Sequence, residues 1–250
     1  MKNINHGACP DKNKFCIYSL NERAVTIEFG TVISEYVWQR VNSFGRLVGQ
    51  HPFTGFYTSV PAYTTLTVFY DPLLVSRSVD MPGVDCFDKV STYLTKLHRQ
   101  KKNSPLLTGD KITIPVCYEE QFGTDLHEVA TLNNLSIADV IRIHTAVTYK
   151  VYMIGFIPGF AYLGGMNNRL ATPRKQTPRK DVPAGAVGIA GEQTGIYPLQ
   201  TPGGWQIIGQ TPLLLFDVKR EQPSLLKAGV EVAFKPISLA EFNDLSRQGI

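Results

Sequence analysis

The chain has 250 residues, 43% hydrophobic and 10% aromatic, enough for one large domain or two ordinary ones and too apolar for a disordered protein. A net charge of +4, with a pI near 8.8, is too weak to point to nucleic acid, which needs a clustered basic face. No run approaches 18 apolar residues and the N-terminus holds no apolar h-region, so neither a membrane span nor a secretory signal is expected.

The four cysteines, Cys9, Cys16, Cys86 and Cys117, form no C-x-x-C pair, so reduced thiols in a cytoplasmic protein are expected. Residues 1–15 fit no pattern and are expected as a disordered extension. A first domain, residues 16–104, then alternates strands and helices. Strands are expected at Cys16–Leu20 and Ala24–Phe29, followed by a helix over Ile33–Val48. There Ile33, Val37, Val41, Phe44 and Val48 recur at three- and four-residue spacing. Strands at Gly55–Val60 and Tyr63–Tyr70 precede a second helix over Asp85–Arg99, with Phe87, Val90, Leu94 and Leu97 on one stripe. Helices on one face of a mainly antiparallel sheet make an α+β sandwich of ferredoxin-like type. The polar run KKNSP, residues 101–105, ends in proline and marks the boundary.

The second domain, residues 105–250, opens with a strand at Ile112–Tyr118 and two short helices, Thr124–Asn133 and Ser136–Tyr149. Ser136 with Asp139 resembles a capping box. From Gly155 to Pro212 the chain concentrates 11 of its 21 glycines and 7 of its 16 prolines, so short strands such as Trp205–Gly209 and Pro212–Asp217 must be joined by tight turns. That texture predicts a β-barrel or sandwich.

Several chemistries are excluded as far as motifs can exclude them. G-x-x-x-x-G-K-[ST], G-x-G-x-x-G, H-E-x-x-H and G-x-S-x-G are all absent. The five histidines, His6, His51, His98, His127 and His144, are scattered, and no metal site is expected.

One stretch stands out, T-P-R-K-Q-T-P-R-K at residues 172–180. Each proline fixes φ near −65° and pushes the preceding threonine toward extended backbone, so Arg174 and Arg179 are presented on a stiff chain. Guanidinium forks suit a carboxylate or phosphate, and Lys175 and Lys180 are expected to face water. A solvated basic loop without a ligand is the plain alternative. The patch is too short, and too poor in interleaved aromatics, for nucleic acid.

Around it lie H-x-A-x-x-Y-x-V at His144–Val151, G-F-x-P-G-F-x-Y-L at Gly155–Leu163, and P-R-x-x-x-P-R at Pro173–Arg179. V-P-A-G at Val182–Gly185, G-I-Y-P at Gly195–Pro198 and P-G-G-W at Pro202–Trp205 follow in order. In these motifs the chain resembles the PxpB/KipI family, also called allophanate hydrolase subunit 1 or the carboxyltransferase C–D domain family. The resemblance implies an N-terminal ferredoxin-like α+β sandwich followed by an all-β cyclophilin-like barrel. It implies a subunit of ATP-dependent 5-oxoprolinase, which opens 5-oxo-L-proline to L-glutamate and acts only with its partners. Those partners are a homologous barrel subunit (PxpC-like) and a third, LamB/YcsF-type subunit (PxpA-like). ATP is implied for the assembly, with no subunit assigned to it. The family also implies an alternative, a regulatory binding protein that inhibits a sensor histidine kinase. The sequence departs from the pattern at Ala186, where the motif usually carries serine. It also lacks a Gly/Ser-rich amidase segment and a Met-Lys-Met biotinylation site.

For the site, His144 is expected as a catalytic acid/base or substrate contact, since an ordinary pKa near 6.5 suits proton transfer, and Arg174, Arg179, Phe156, Pro158, Gly159, Phe160 and Tyr162 are expected as substrate- or anion-binding residues. The residues themselves leave other readings open. His144 lies near the apolar stripe of its helix, where a buried structural histidine is equally natural. Gly155, Gly159, Gly164 and Gly165 beside aromatics fit barrel turns as well as a pocket wall. Trp205 reads as a core or subunit-interface anchor. Asp181 and Glu192 are the only carboxylates in this stretch able to orient an arginine.

Overall fold

The computed structural model describes residues 15–100 and 110–248. Its chain divides into two compact units, Met1–Leu107 and Thr108–Ile250. Within the first lie β1 (Cys16–Asn21), β2 (Ala24–Glu28), α1 (Glu35–Gln50), β3 (Phe56–Pro61), β4 (Thr65–Tyr70), α2 (Pro72–Arg77) and α3 (Cys86–Arg99). The four strands pair antiparallel in the order β1-β2-β4-β3.

Local chemistry sets the helix starts. Ser34 is extended and its side chain accepts from the Val37 N–H, capping α1, while Asp85 does the same for α3 through Asp88. Asp71 caps α2 and Pro72 occupies its first turn, a position where the missing N–H costs nothing. Val37, Val41, Phe44 and Val48 of α1, with Val90, Leu94 and Leu97 of α3, pack on Val25, Ile27, Leu66, Val68 and Tyr70 of the sheet. Phe15, counted with the extension from sequence, belongs to this core. Its ring stacks on His98 at 4.1 Å and meets Phe29 and Phe44 edge-on at 5.6 Å. The rest of the expected extension, and the expected boundary at 101–105, lie outside the described residues.

The second unit contains β5 (Lys111–Cys117), α4 (Leu126–Leu132), α5 (Ile137–Thr145), β6 (Thr148–Ile154) and β7 (Ala161–Gly164). After a 3-10 turn at Asn168–Leu170 come β8 (Arg179–Val182), β9 (Ala186–Ala190), β10 (Gln193–Ile196), β11 (Thr201–Gly203), β12 (Gln206–Gln210), β13 (Glu231–Ile237) and α6 (Leu239–Gln248). Seven strands close a barrel in the order β10-β7-β6-β13-β5-β12-β9, and β8 pairs with β11 as a separate two-stranded sheet. The barrel is mixed, because β13 runs parallel to β5 from Glu231↔Lys111 to Ile237↔Cys117. Ile114, Val116, Val151, Leu163, Val187, Ile189, Ile208 and Val232 fill it, with Val129, Val140 and Ile143 from α4 and α5 in the same cluster.

Four expectations need correction. The barrel unit is not all-β, since it carries α4, α5 and α6. The helix expected to reach Tyr149 stops at Thr145, because T-Y-K-V-Y-M-I is β-branched and aromatic and is taken into β6. Pro212–Asp217 forms no strand among the described residues beyond the single bridge Phe216↔Ser224. Cys86 and Cys117 are free thiols as expected, but Cys16 is disulfide-bonded. Among the described residues no helix is long and apolar enough to cross a membrane.

Candidate functional site

Beside the barrel core sits a second cluster, in which Phe160, Tyr197 and Trp205 meet Val182, Ala186, Ala190 and Ile207. Phe160 is its hub. Its ring lies edge-on to Tyr197 at 5.1 Å and to Trp205 at 5.4 Å, and tilts against Tyr162 at 4.8 Å. Edge-to-face pairs of this kind favour one fixed arrangement over a loose apolar heap. Ala186, at the position that departs from the family motif, is buried in this cluster and brings no side-chain polar group to it.

Above these rings opens a cleft of about 250 Å³, lined by Phe156, Phe160, Tyr162, Arg174, Pro178, Tyr197, Pro202, Gly203, Gly204 and Trp205. Gly203 is required here, because a Cβ on it would overlap the Tyr197 hydroxyl. Burial pushes the Tyr197 phenol up to about 12, against a smaller opposing influence from the Trp205 backbone N–H, and it raises Tyr162 too, opposed by the Arg174 charge. Both hydroxyls therefore stay protonated at neutral pH.

The rim is set by an unusual turn. Ile157 N–H donates to Gly155 O at 2.8 Å around Phe156, whose φ is +67°. This is a three-residue γ-turn of the strained hand, which a bulky side chain rarely enters. The turn leaves Phe156 61% exposed at the mouth, its ring edge-on to Phe160 at 5.5 Å. Gly159, at φ +82°, tucks under Phe216, and Pro158 is exposed in the turn. Neither lines the cleft.

The doubled T-P-R-K splits into two roles. Thr172 is buried, exchanges backbone hydrogen bonds with Gly191, and accepts at its hydroxyl from Asn133 at 2.9 Å. That anchor holds Arg174 at the cleft, with Cζ 5.9 Å from the Trp205 ring centroid. Arg174 makes no ion pair and no hydrogen bond among the described residues. Arg179 turns the other way. Its Nη2 donates to Asp125 Oδ1, which also receives Lys175 Nζ at 2.9 Å, while Asp125 Oδ2 accepts from the Ile207 N–H at 2.7 Å. Lys175 bonds Glu128 at 2.7 Å as well, and Glu128 first, then Asp125, hold its ammonium charged. Lys175 thus does not face water as expected, and Arg179 is not available as a second anion fork. The orienting carboxylate is neither Asp181, which accepts from Gln200, nor Glu192, but Asp125 at the start of α4.

His144 lies elsewhere, fully buried on α5. Thr194 Oγ1 gives its proton to Gly188 O at 2.9 Å, so it accepts from His144 Nε2–H at 3.1 Å. Nδ1 is then the bare nitrogen and accepts from Tyr118 O–H at 2.8 Å. The ring stacks on Phe234 at 4.5 Å, and burial pushes its pKa down to about 3. A neutral imidazole with both nitrogens engaged and no exposure is a core strut, and the acid/base role expected for it does not fit this geometry. Among the described residues no cluster of three His, Cys, Asp or Glu side chains forms a metal site.

The structure therefore brings Phe156, Phe160, Tyr162 and Arg174 together and separates them from Arg179, Pro158, Gly159 and His144. It adds Tyr197 and Trp205, whose G-I-Y-P and P-G-G-W motifs were the signal in the sequence.

Comparison with known proteins agrees with the architecture. The family described as carboxyltransferase domain, subdomain C and D, matches residues 15–226. The B-type 5-oxoprolinase subunit of Bacillus subtilis (strain 168) is 44% identical over 230 residues, covering 92% of this chain and 96% of that one. Its counterpart of the same name in Escherichia coli O157:H7 is 36% identical over 219 residues, 88% of this chain and 94% of that one. Among solved structures, TTHA0988 superposes with a TM-score of 0.73 at 36% identity. The match covers 86% of this chain, which spans only 40% of that longer one. The mixed barrel, its aromatic cleft and the near end-to-end match converge on one conclusion: the chain belongs to the family of B-type 5-oxoprolinase subunits, built on the C and D subdomains of the carboxyltransferase domain.

Proposed function

We propose that this chain is a subunit of an ATP-dependent 5-oxoprolinase, a cytoplasmic assembly that opens the lactam of 5-oxo-L-proline to L-glutamate. The observation that carries the reading is the 44% identity across 96% of a protein named as the B-type subunit of 5-oxoprolinase. A shared fold alone would not suffice, because function resides in sites. Here the family match, residues 15–226, includes every residue that lines the cleft.

Dependence on partners belongs to the same proposal. The word "subunit" in the relatives' names supports it, and so does TTHA0988, where the matching part is 40% of a longer chain. The partners we infer are a homologous barrel subunit and a LamB/YcsF-type subunit. A cleft of about 250 Å³ with one guanidinium does not suit a nucleoside triphosphate, so we place ATP elsewhere in the assembly. The finer fold names follow too. The strand order β1-β2-β4-β3 supports a ferredoxin-like βαββαβ unit with its last strand moved to the front, and the closed barrel supports a cyclophilin-like domain.

The test is glutamate release from 5-oxo-L-proline and ATP by the co-purified subunits, with each omitted in turn. Activity lost on omitting this chain supports the reading. A folded, complete assembly without turnover overturns it.

A further inference from the structure

We infer that the cleft holds the carboxylate and ring of a small cyclic-amide acid, with Arg174 as the anion anchor and the aromatic walls as the ring's seat. This rests on the function proposed above, and deepens it by assigning substrate contact to this chain. Three observations lead there. The 250 Å³ volume falls just below the roughly 300–1,000 Å³ of clefts that take drug-sized ligands, which suits a single five-membered ring. Its walls are five aromatics and two prolines, which offer apolar surface to a ring but few groups that would hold a charged or strongly hydrated one.

The third observation is charge. Four cations sit on T-P-R-K-Q-T-P-R-K, yet Lys175 and Arg179 are spent on Asp125 and Glu128, and Lys180 is not a lining residue. Only Arg174 reaches the cleft. It has no carboxylate partner among the described residues, and the Trp205 ring, 5.9 Å from its Cζ, offers a cation–π contact that uses none of its donors. A guanidinium so placed can take a carboxylate bidentately, and the site has one such fork, not two. The ligand class is therefore a monocarboxylate on a compact, uncharged ring. Polyanions, such as nucleotides or dicarboxylates, would leave charge unpaired against aromatic walls.

The experiment is calorimetric titration of the full chain with 5-oxo-L-proline, with 5-oxo-L-prolinamide and with 2-pyrrolidinone, the last two keeping the lactam without the charge. The acid is expected to bind about tenfold or more tightly than either neutral ring, the scale of one charge-assisted pair. Arg174→Ala should erase that preference, Arg174→Lys should restore part of it, and Arg179→Ala should keep it. Circular dichroism checks that each variant is folded. No binding by the folded chain, equal binding of acid and neutral rings, or a preference that survives Arg174→Ala overturns the assignment. Failure here is distinct from failure of the proposed function. An assembly whose turnover keeps a wild-type KM with Arg174→Ala retains the function and loses the site. Conversely, a chain that binds the acid through Arg174 retains the site even where no assembly turns over.

Discussion

Arg179 donates its guanidinium to Oδ1 of Asp125, a carboxylate 54 residues earlier in the chain. The pair joins the first residue of β8 to the start of α4. The other carboxylate oxygen takes the Ile207 N–H of β12, so one buried side chain ties three elements together. Asp125→Ala strands a half-buried arginine and lysine and is expected to cost about 3–5 kcal/mol in urea unfolding. Arg179→Ala, at a 29% exposed side chain, should cost about 1–2 kcal/mol. A double-mutant cycle with coupling below about 0.5 kcal/mol would show that the pair is not a structural tie.

His144 gives the fold a pH dependence whose direction follows from its environment. Its pKa is about 3 when folded and about 6.5 when unfolded, so below pH 6.5 the unfolded chain takes up the proton first. Stability from this residue is complete above pH 6.5 and falls by up to about 1.4 kcal/mol per unit as pH drops toward 3. Asp139, lowered to about 2 by Arg142 and Ser136, adds loss only at the acid end of that range. Urea midpoints at pH 7, 5.5 and 4.5 should fall more steeply for the wild type than for His144→Gln. Parallel profiles for the two proteins would refute the buried neutral state.

Two glycines separate backbone need from mere presence. Gly185 has φ +81° and a Cβ there would overlap the carbonyl of Thr211, whose N–H in turn donates to Gly185 O at 2.9 Å. Gly49 in α1 has nothing within 4 Å of that position. Gly185→Ala is expected to destabilise by more than about 2 kcal/mol, and Gly49→Ala to stabilise by up to about 1 kcal/mol. Thermal melts of the two variants should move in opposite directions.

The strained turn at Phe156 yields a separation of stability from binding. Asparagine tolerates a positive φ better than phenylalanine, so Phe156→Asn should leave the melting temperature unchanged or raise it, relieving about 1 kcal/mol. The same change removes an aromatic wall, and 5-oxo-L-proline should then bind several-fold more weakly. A clear loss of stability would mean that the exposed ring supports the fold.

What the sequence revealed depended on how local the cause was. The α1 stripe is a property of consecutive residues, and the structure buries Val37, Val41, Phe44 and Val48 of it, while Ile33, also expected there, precedes the Ser34 cap and is exposed. Arg174 and the G-F-x-P-G-F aromatics could be nominated because they are close in sequence as well as in space. Arg179 could not be told from Arg174 by any neighbour. The identical tetrapeptides are separated by Asp125, a partner that only the fold brings near. His144 was ambiguous for the same reason, since Thr194 and Tyr118, which fix its tautomer, sit 50 residues ahead and 26 behind. At the end of α5 helical spacing and a β-branched run overlap in sequence, and pairing of Tyr149 with Val232 makes the run a strand.

The parallel pairing of β5 with β13 has a consequence for how the protein is made. The first strand of the barrel unit needs the last one as its neighbour, and β6 needs it too. On the ribosome, β5 and β6 must wait with unpaired edges until β13 has emerged, because nothing earlier in the chain can stand in for it. Such long-range closure is slow, and an exposed edge invites pairing between copies. A nascent chain stalled before residue 231 would hold most of the barrel's apolar residues and none of its closure. Truncations that remove β13 should thus send this chain toward aggregates or chaperones.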